Sequence, residues 1–341
     1  MKADQQVFKG KRRNAYSFAF LSALTGVVVK LIDAYISRNI ITVPNAEDKV
    51  VAACVFLTLG GTIGLIVFIV LAHTQFGRIL DSRYTRFSWG TVRFQANALI
   101  GGVSGAISTG LYLLALQKGY DAATVVALAS SQILWILGYE YWKSKIDISL
   151  KKVVGPAFLM IAGVWVGEGL SRPSFEVFVL VFVMSALLGG ISDVHDKIAA
   201  EESSATLATV WRSIYLGITG TALSFIYVSH IDKMSLYVDM LWIGLQYAVP
   251  LIALLMTVAF FTNGWGARAK AHLDMGASKV VLISNLKIVG VLLALGALNF
   301  LFGLSEFGQL PTDMFLLMRK ILGAGVITAS VLYLVKNTSQ R

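Results

Sequence analysis

Runs of about 20 apolar residues recur along the whole chain, each long enough for a helix rising 1.5 Å per residue to cross a hydrocarbon layer of about 30 Å. By that ruler the 341 residues predict ten spanning helices. They lie at roughly 15–36, 51–72, 95–117, 122–142, 153–170, 175–194, 207–228, 240–263, 277–301 and 314–335. Polar and charged residues collect in the short joints, and no joint is long enough for a soluble module. A basic segment precedes the first run (1–14) and a short tail follows the last (336–341). The expected fold class is an all-α integral membrane protein.

Composition agrees. Only 14% of residues are charged and 56% are hydrophobic, whereas soluble domains are about a quarter charged. A net charge of +10 would suggest nucleic acid in a soluble chain. Here it follows the positive-inside rule. Most Lys and Arg fall in the joints that share a side with the N-terminus, among them Arg78, Lys143, Lys197, Arg268 and Lys270. Both termini are therefore expected in the cytoplasm, with the plasma membrane as the expected location. Lys30 and Asp33 lie beyond any plausible cleavage point for a signal peptide, so the first run reads as a retained helix. Cys54 is the one cysteine, which leaves no disulfide framework.

The chain also matches itself. Ser22, Ala23, Leu24, Gly26 and Asp33 align with Ser185, Ala186, Leu187, Gly189 and Asp196, at an offset of 163 residues. Ala115, Ala123, Val126, Leu128 and Ser130 align with Ala269, Ala277, Val280, Leu282 and Ser284, at an offset of 154. Ten helices then divide into two five-helix repeats, 15–170 and 175–335, of opposite sense in the bilayer. The basic loop 73–94 is the expected home of the nine extra residues in the first repeat. Inverted repeats of this kind place a substrate near the midplane, between the halves. Duplication without any transport role is the alternative.

Residues 115–164 carry an Ala-rich helix end, a short turn, Ser130 and Ser131 in a fourth helix, Glu140 near its end, and Gly155 and Gly163 in a fifth. In these features the chain resembles the EamA-like branch of the drug/metabolite transporter superfamily, over about 15–335. The resemblance implies a ten-helix bundle that exports or exchanges small metabolites by alternating access, without a cofactor. The pattern departs from that branch at Gln132, where Pro is usual, and at Ala294, where the second repeat has no counterpart of Glu140. Arg212, early in the seventh helix, fits it. Ser284-Asn285-Leu286-Lys287 is similar to the sugar-phosphate and nucleotide-sugar branch, which implies a phosphate ligand at Lys287.

The candidate site residues follow from depth and charge. Lys287 falls about two residues from the centre of its predicted span, where a charge costs about 2.5–3.5 kcal/mol and faces a cavity or a partner. An anion ligand or a titrating amine is one reading, and a buried ion pair with Asp33 or Asp193 the other. Asn285, Gln132, Ser131 and Ser108 are polar at membrane depth and are expected to line the substrate path. Lys30 and Asp33 pair on one helical face and, with Asp193, Asp196, Glu140 and Arg212, are candidates for coupling or gating. Asp193, His195, Asp196 and Lys197 read as a solvated helix end, with Asp193 entering the bundle only if the sixth helix runs on to about 199. The four His are dispersed and no P-loop occurs, so neither catalysis nor ATP-driven pumping is expected. The partners expected are a small-molecule substrate, a proton or counter-substrate, the lipid bilayer and, in a homodimer, a second copy. Nucleic acid and metal are not.

Overall fold

The computed structural model describes residues 2–118, 131–144, 178–271 and 276–302, with isolated positions beyond them. All regular structure among them is helical: α1 (Lys2–Asn39), α2 (Lys49–His73), α3 (Gln75–Leu80), α4 (Val92–Gln117) and α5 (Gln132–Ser144) come first. A π-helical segment, Phe178–Ser185, leads into α6 (Ala186–Glu202). Then follow α7 (Ala205–His230), α8 (Met234–Tyr247), α9 (Val249–Lys270), α10 (Gly276–Ser284) and α11 (Leu286–Phe302). Five stretches are long and apolar enough to cross a membrane: Ala15–Asn39, Lys49–His73, Val92–Gln117, Val249–Lys270 and Ala277–Leu301. The described chain is thus an α-helical bundle of the multi-pass membrane type. The predicted fifth and tenth spans lie outside the described residues, apart from scattered positions in the tenth.

Several boundaries differ from expectation. α6 runs to Glu202 rather than 194, and α9 to Lys270 rather than 263. An apolar-run ruler stops at a charge, but these charges find partners inside the bundle, so the helices continue. The predicted span 240–263 is a longer helical run broken at Ala248, because Pro250 in the first turn of α9 has no N–H to give the preceding turn. The ninth span is broken at Asn285, between α10 and α11. α7 is long enough to span but is not among the five apolar stretches. Arg212 and a series of Thr and Ser lower its hydropathy, and the helix packs between α2 and α4.

Three antiparallel contacts organise the bundle. α2 and α7 cross at their middle residues, where a Cβ on Gly61 would lie 2.8 Å from Gly217 Cα. Only two glycines allow backbones this close. Ser224 Oγ donates to Cys54 O (3.2 Å) along the same contact. α1 packs along α9, with Ser22 Oγ donating to Thr262 O (2.7 Å) and Thr262 Oγ1 to Thr25 Oγ1 (2.8 Å). α4 packs along α6, with Ser108 Oγ donating to Ser185 O (2.8 Å) and Ser192 Oγ to Gly101 O (2.7 Å).

Outside the spans, Asp81 ties the loop after α3 to the start of α7. Its carboxylate accepts from Arg83 Nη2 (2.8 Å) and from the Ala205 N–H (2.8 Å). Nearby, Trp211 of α7 stacks on Phe87 and donates to Ser88 O, which seats it against this loop. Burial pushes the Asp81 carboxyl up, but the hydrogen bonds from Arg83 and Ala205 outweigh it and hold the group below the usual carboxylate range. A lowered pKa adds stability above the unfolded value, and that stability is lost as pH falls through the folded value. In Asp81→Asn the melting temperature is expected to fall at neutral pH by an amount worth about 1 kcal/mol, Arg83 being half exposed. The difference from wild type should shrink below about pH 4. Thermal unfolding of both proteins in detergent across pH 7 to 3 checks this, and a gap independent of pH would refute the ionic explanation.

Candidate functional site

At mid-length, five helices leave a cavity of about 180 Å³ between them. At about 30 Å³ per water it holds roughly six waters. α2 makes one wall from Gly60, Gly61 and Gly64; the missing side chains of Gly60 and Gly64 leave room for Met256 of α9. Phe56, Leu113, Leu216 and Leu255 give the cavity an apolar body. Its polar atoms come from Thr109 of α4, Ser213 of α7, Thr262 and Asn263 of α9, and Lys30 and Asp33 of α1.

Lys30 is held twice. Its Nζ lies 3.2 Å from Asp33 Oδ2 and 3.7 Å from the ring centroid of Tyr112 on α4. The spacing of three residues brings Lys30 and Asp33 to one face of α1, and Tyr112 adds a cation–π contact from across the bundle. The pair is locally neutral, and its carboxylate is buried.

A second charged cluster joins α6 to α9. Lys270 Nζ sits 2.7 Å from Asp193 Oδ1 and 3.0 Å from Asp196 Oδ2. Gln132 Nε2, from α5, donates to the other oxygen of Asp193 (3.2 Å). Lys270 is 6% exposed and Asp196 2%, so the expected solvated helix end is instead buried ionic structure. Lys270 was expected in a cytoplasmic joint. The signal that could have found it is the row of small residues Gly264, Gly266, Ala267 and Ala269, which marks a close-packed face of α9 continuing to position 270.

The other candidates divide between these two places. Lys287 does not line the cavity. Its stem passes Gly26, with Cδ 3.7 Å from where a Cβ there would stand. Among the described residues no carboxylate lies within ion-pair distance of Lys287, since Asp33 is taken by Lys30 and Asp193 by Lys270. The buried-pair reading of Lys287 is thereby corrected. Lys287 remains within electrostatic reach of Lys30, Asp193 and Lys270. Gly189, which the 163-residue offset aligns with Gly26, faces Gln132 and Ser108. Ser131 and Asn285 are buried, at the start of α5 and at the α10–α11 break, and Asn285 Oδ1 has no hydrogen-bond partner among the described residues. Arg212 donates through Nε to Ser192 Oγ (3.0 Å), and His195 pairs with Asn97 (2.7 Å), a contact not anticipated. Glu140 belongs to α5, and its side chain lies outside the described residues. The chain matches no known family model, and a search of curated proteins finds no match.

Proposed function

We propose that the protein is a secondary transporter that moves a small metabolite by alternating access, as an EamA-like member of the drug/metabolite transporter superfamily would. The observation that carries this is the mid-bundle cavity walled by glycines and edged by the Lys30–Asp33 pair. Ionisable groups at membrane depth are costly, and they mark substrate or ion paths.

Internal symmetry supports the reading. The 163-residue offset that aligns Gly26 with Gly189 also aligns Lys30 with Asp193 and Asp33 with Asp196, so the two charged clusters grow from equivalent positions. The 154-residue offset pairs Ser131 with Asn285, and each is buried just before a helix start, α5 for Ser131 and α11 for Asn285. Gly61 and Gly217, related by an intermediate offset of 156, meet each other, as residues on a two-fold axis would. The change from 163 to 156 falls between the first two helices of each repeat, where residues 40–48 face only 203–204. Most of the extra length of the first repeat thus lies there rather than in 73–94. The two repeats then insert in opposite senses, with both termini in the cytoplasm.

The site suits a compact solute with an apolar body and one polar head. Lys287, with no carboxylate beside it among the described residues, favours a phosphate or other anion as the second reading. A thermal-shift panel of amino acids, nucleosides and sugar phosphates selects the substrate, and uptake into proteoliposomes then tests the site. Lys30→Ala and Asp33→Asn are each expected to lower uptake about tenfold, the loss of roughly 1.4 kcal/mol of transition-state stabilisation. Undiminished uptake in both would refute the cavity as the substrate site. A loss confined to Lys287→Ala, with stabilisation by phosphates alone, would favour the anion reading.

A further inference from the structure

α1 with α9, and α4 with α6, form two closely packed helix pairs, whereas α1 meets α4 and α9 meets α6 only sparsely. Each sparse contact is bridged by one of the charged clusters. Lys30 of α1 reaches Tyr112 of α4, and Lys270 of α9 reaches Asp193 and Asp196 of α6. Their separation follows from helix register. Ser22 lies opposite Gly266, and Gly26 opposite Thr262, so Lys270 is level with about position 18 of α1. Lys30 is some twelve residues further along, or about 18 Å at 1.5 Å per residue. On α9, Ala259, Thr262 and Asn263 fall between these levels, and Leu255 and Met256 lie about level with Asp33.

We infer that the two clusters are opposed latches: Lys270–Asp193–Asp196 closes one end of the cavity, Lys30–Asp33–Tyr112 closes the other, and the bodies that part are the cross-half pairs α1–α9 and α4–α6. This rests on the transport reading. Opening at one end requires separating α9 from α6, which breaks two ionic contacts that are 3.0 Å or shorter. Opening at the other separates α1 from α4 and breaks only the cation–π contact, because Asp33 stays with Lys30 on α1. The Lys270 end is therefore the tighter, and the resting protein opens toward the Lys30 end.

The test needs no substrate. Cys54→Ser combined with Ser213→Cys puts a single thiol on the cavity wall. A membrane-impermeant maleimide is then applied to right-side-out and inside-out vesicles. Without further changes, labelling is expected to be faster from the Lys30 side. Lys270→Gln, and the neutral triple variant Lys270→Gln/Asp193→Asn/Asp196→Asn, are expected to label about tenfold faster from the opposite face. The triple variant leaves no unpaired charge among the three latch positions, so it separates unlatching from misfolding. If it melts like its parent and labels at the parental rate from both faces, the latches are refuted while a water path to the cavity stands. If the thiol labels from neither face in the parent and in every variant, the transport reading falls as well.

Discussion

Lys270→Ala is expected to destabilise the folded protein by about 3–5 kcal/mol, the usual cost of removing one partner from a buried ion pair. The loss is large because of what stays behind. Asp193 and Asp196 lie on adjacent turns of α6 and have little exposure. Without the ammonium, two carboxylates face each other in a low-dielectric space, with only Gln132 still donating to Asp193. Lys270→Met alone should cost nearly as much, since restoring the volume does not restore the charge. Adding Asp193→Asn and Asp196→Asn to Lys270→Met should recover most of the loss, because a neutral cluster carries no desolvation debt. Thermal unfolding of the three proteins in one detergent checks the order, and a triple variant less stable than Lys270→Ala would contradict an ionic origin.

The second large effect is steric. Gly61→Leu is expected to cost about 3 kcal/mol, the upper end for overpacking a close contact. A Cβ at position 61 would lie 2.8 Å from Gly217 Cα and 3.2 Å from its carbonyl oxygen. Both are backbone atoms, so no rotamer change relieves the clash and α2 must move away from α7. Gly217→Leu meets Gly61 O at the same 2.8 Å and should behave alike. Gly60→Ala is the control, for its nearest neighbour is the flexible end of Met256 at 3.4 Å. Expression and melting temperature of the three variants are the measurement, and a Gly60→Ala loss equal to that of Gly61→Leu would mean that the crossing is not special.

The pattern of apolar runs located α2, α4 and α7 to within three residues at each end. Lys30 with Asp33 was visible because both partners lie within one turn of the same helix. Gly26 and Gly189 stood out through the internal match, and each faces a polar side chain at the start of a helix, Lys287 of α11 and Gln132 of α5. What could not be read was long-range pairing. Lys270 finds Asp193 and Asp196 across a separation of more than 70 residues, and a local window treats an unmatched charge as the end of a span. The break at Asn285 was hidden because the apolar run 277–301 continues on both sides of the polar Ser284, Asn285 and Lys287. The depth of Lys287 was legible along the chain, but depth says nothing about the direction a side chain takes from its helix, and Lys287 does not line the cavity.

The α1–α9 contact also has a consequence for biosynthesis. Ser22 waits for a partner 240 residues further along the chain. At about 5–20 residues per second, roughly 12–48 s pass before Thr262 leaves the ribosome. During that time α1 must sit in or beside the insertion machinery with its ionisable residues uncovered. Lys30 and Asp33 can neutralise each other from the moment their own turn forms, so the first helix carries its own counter-ion through the delay. On α6 the nearest ammonium, Lys197, pairs with Glu201 instead, so Asp193 and Asp196 gain Lys270 only when the end of α9 is made.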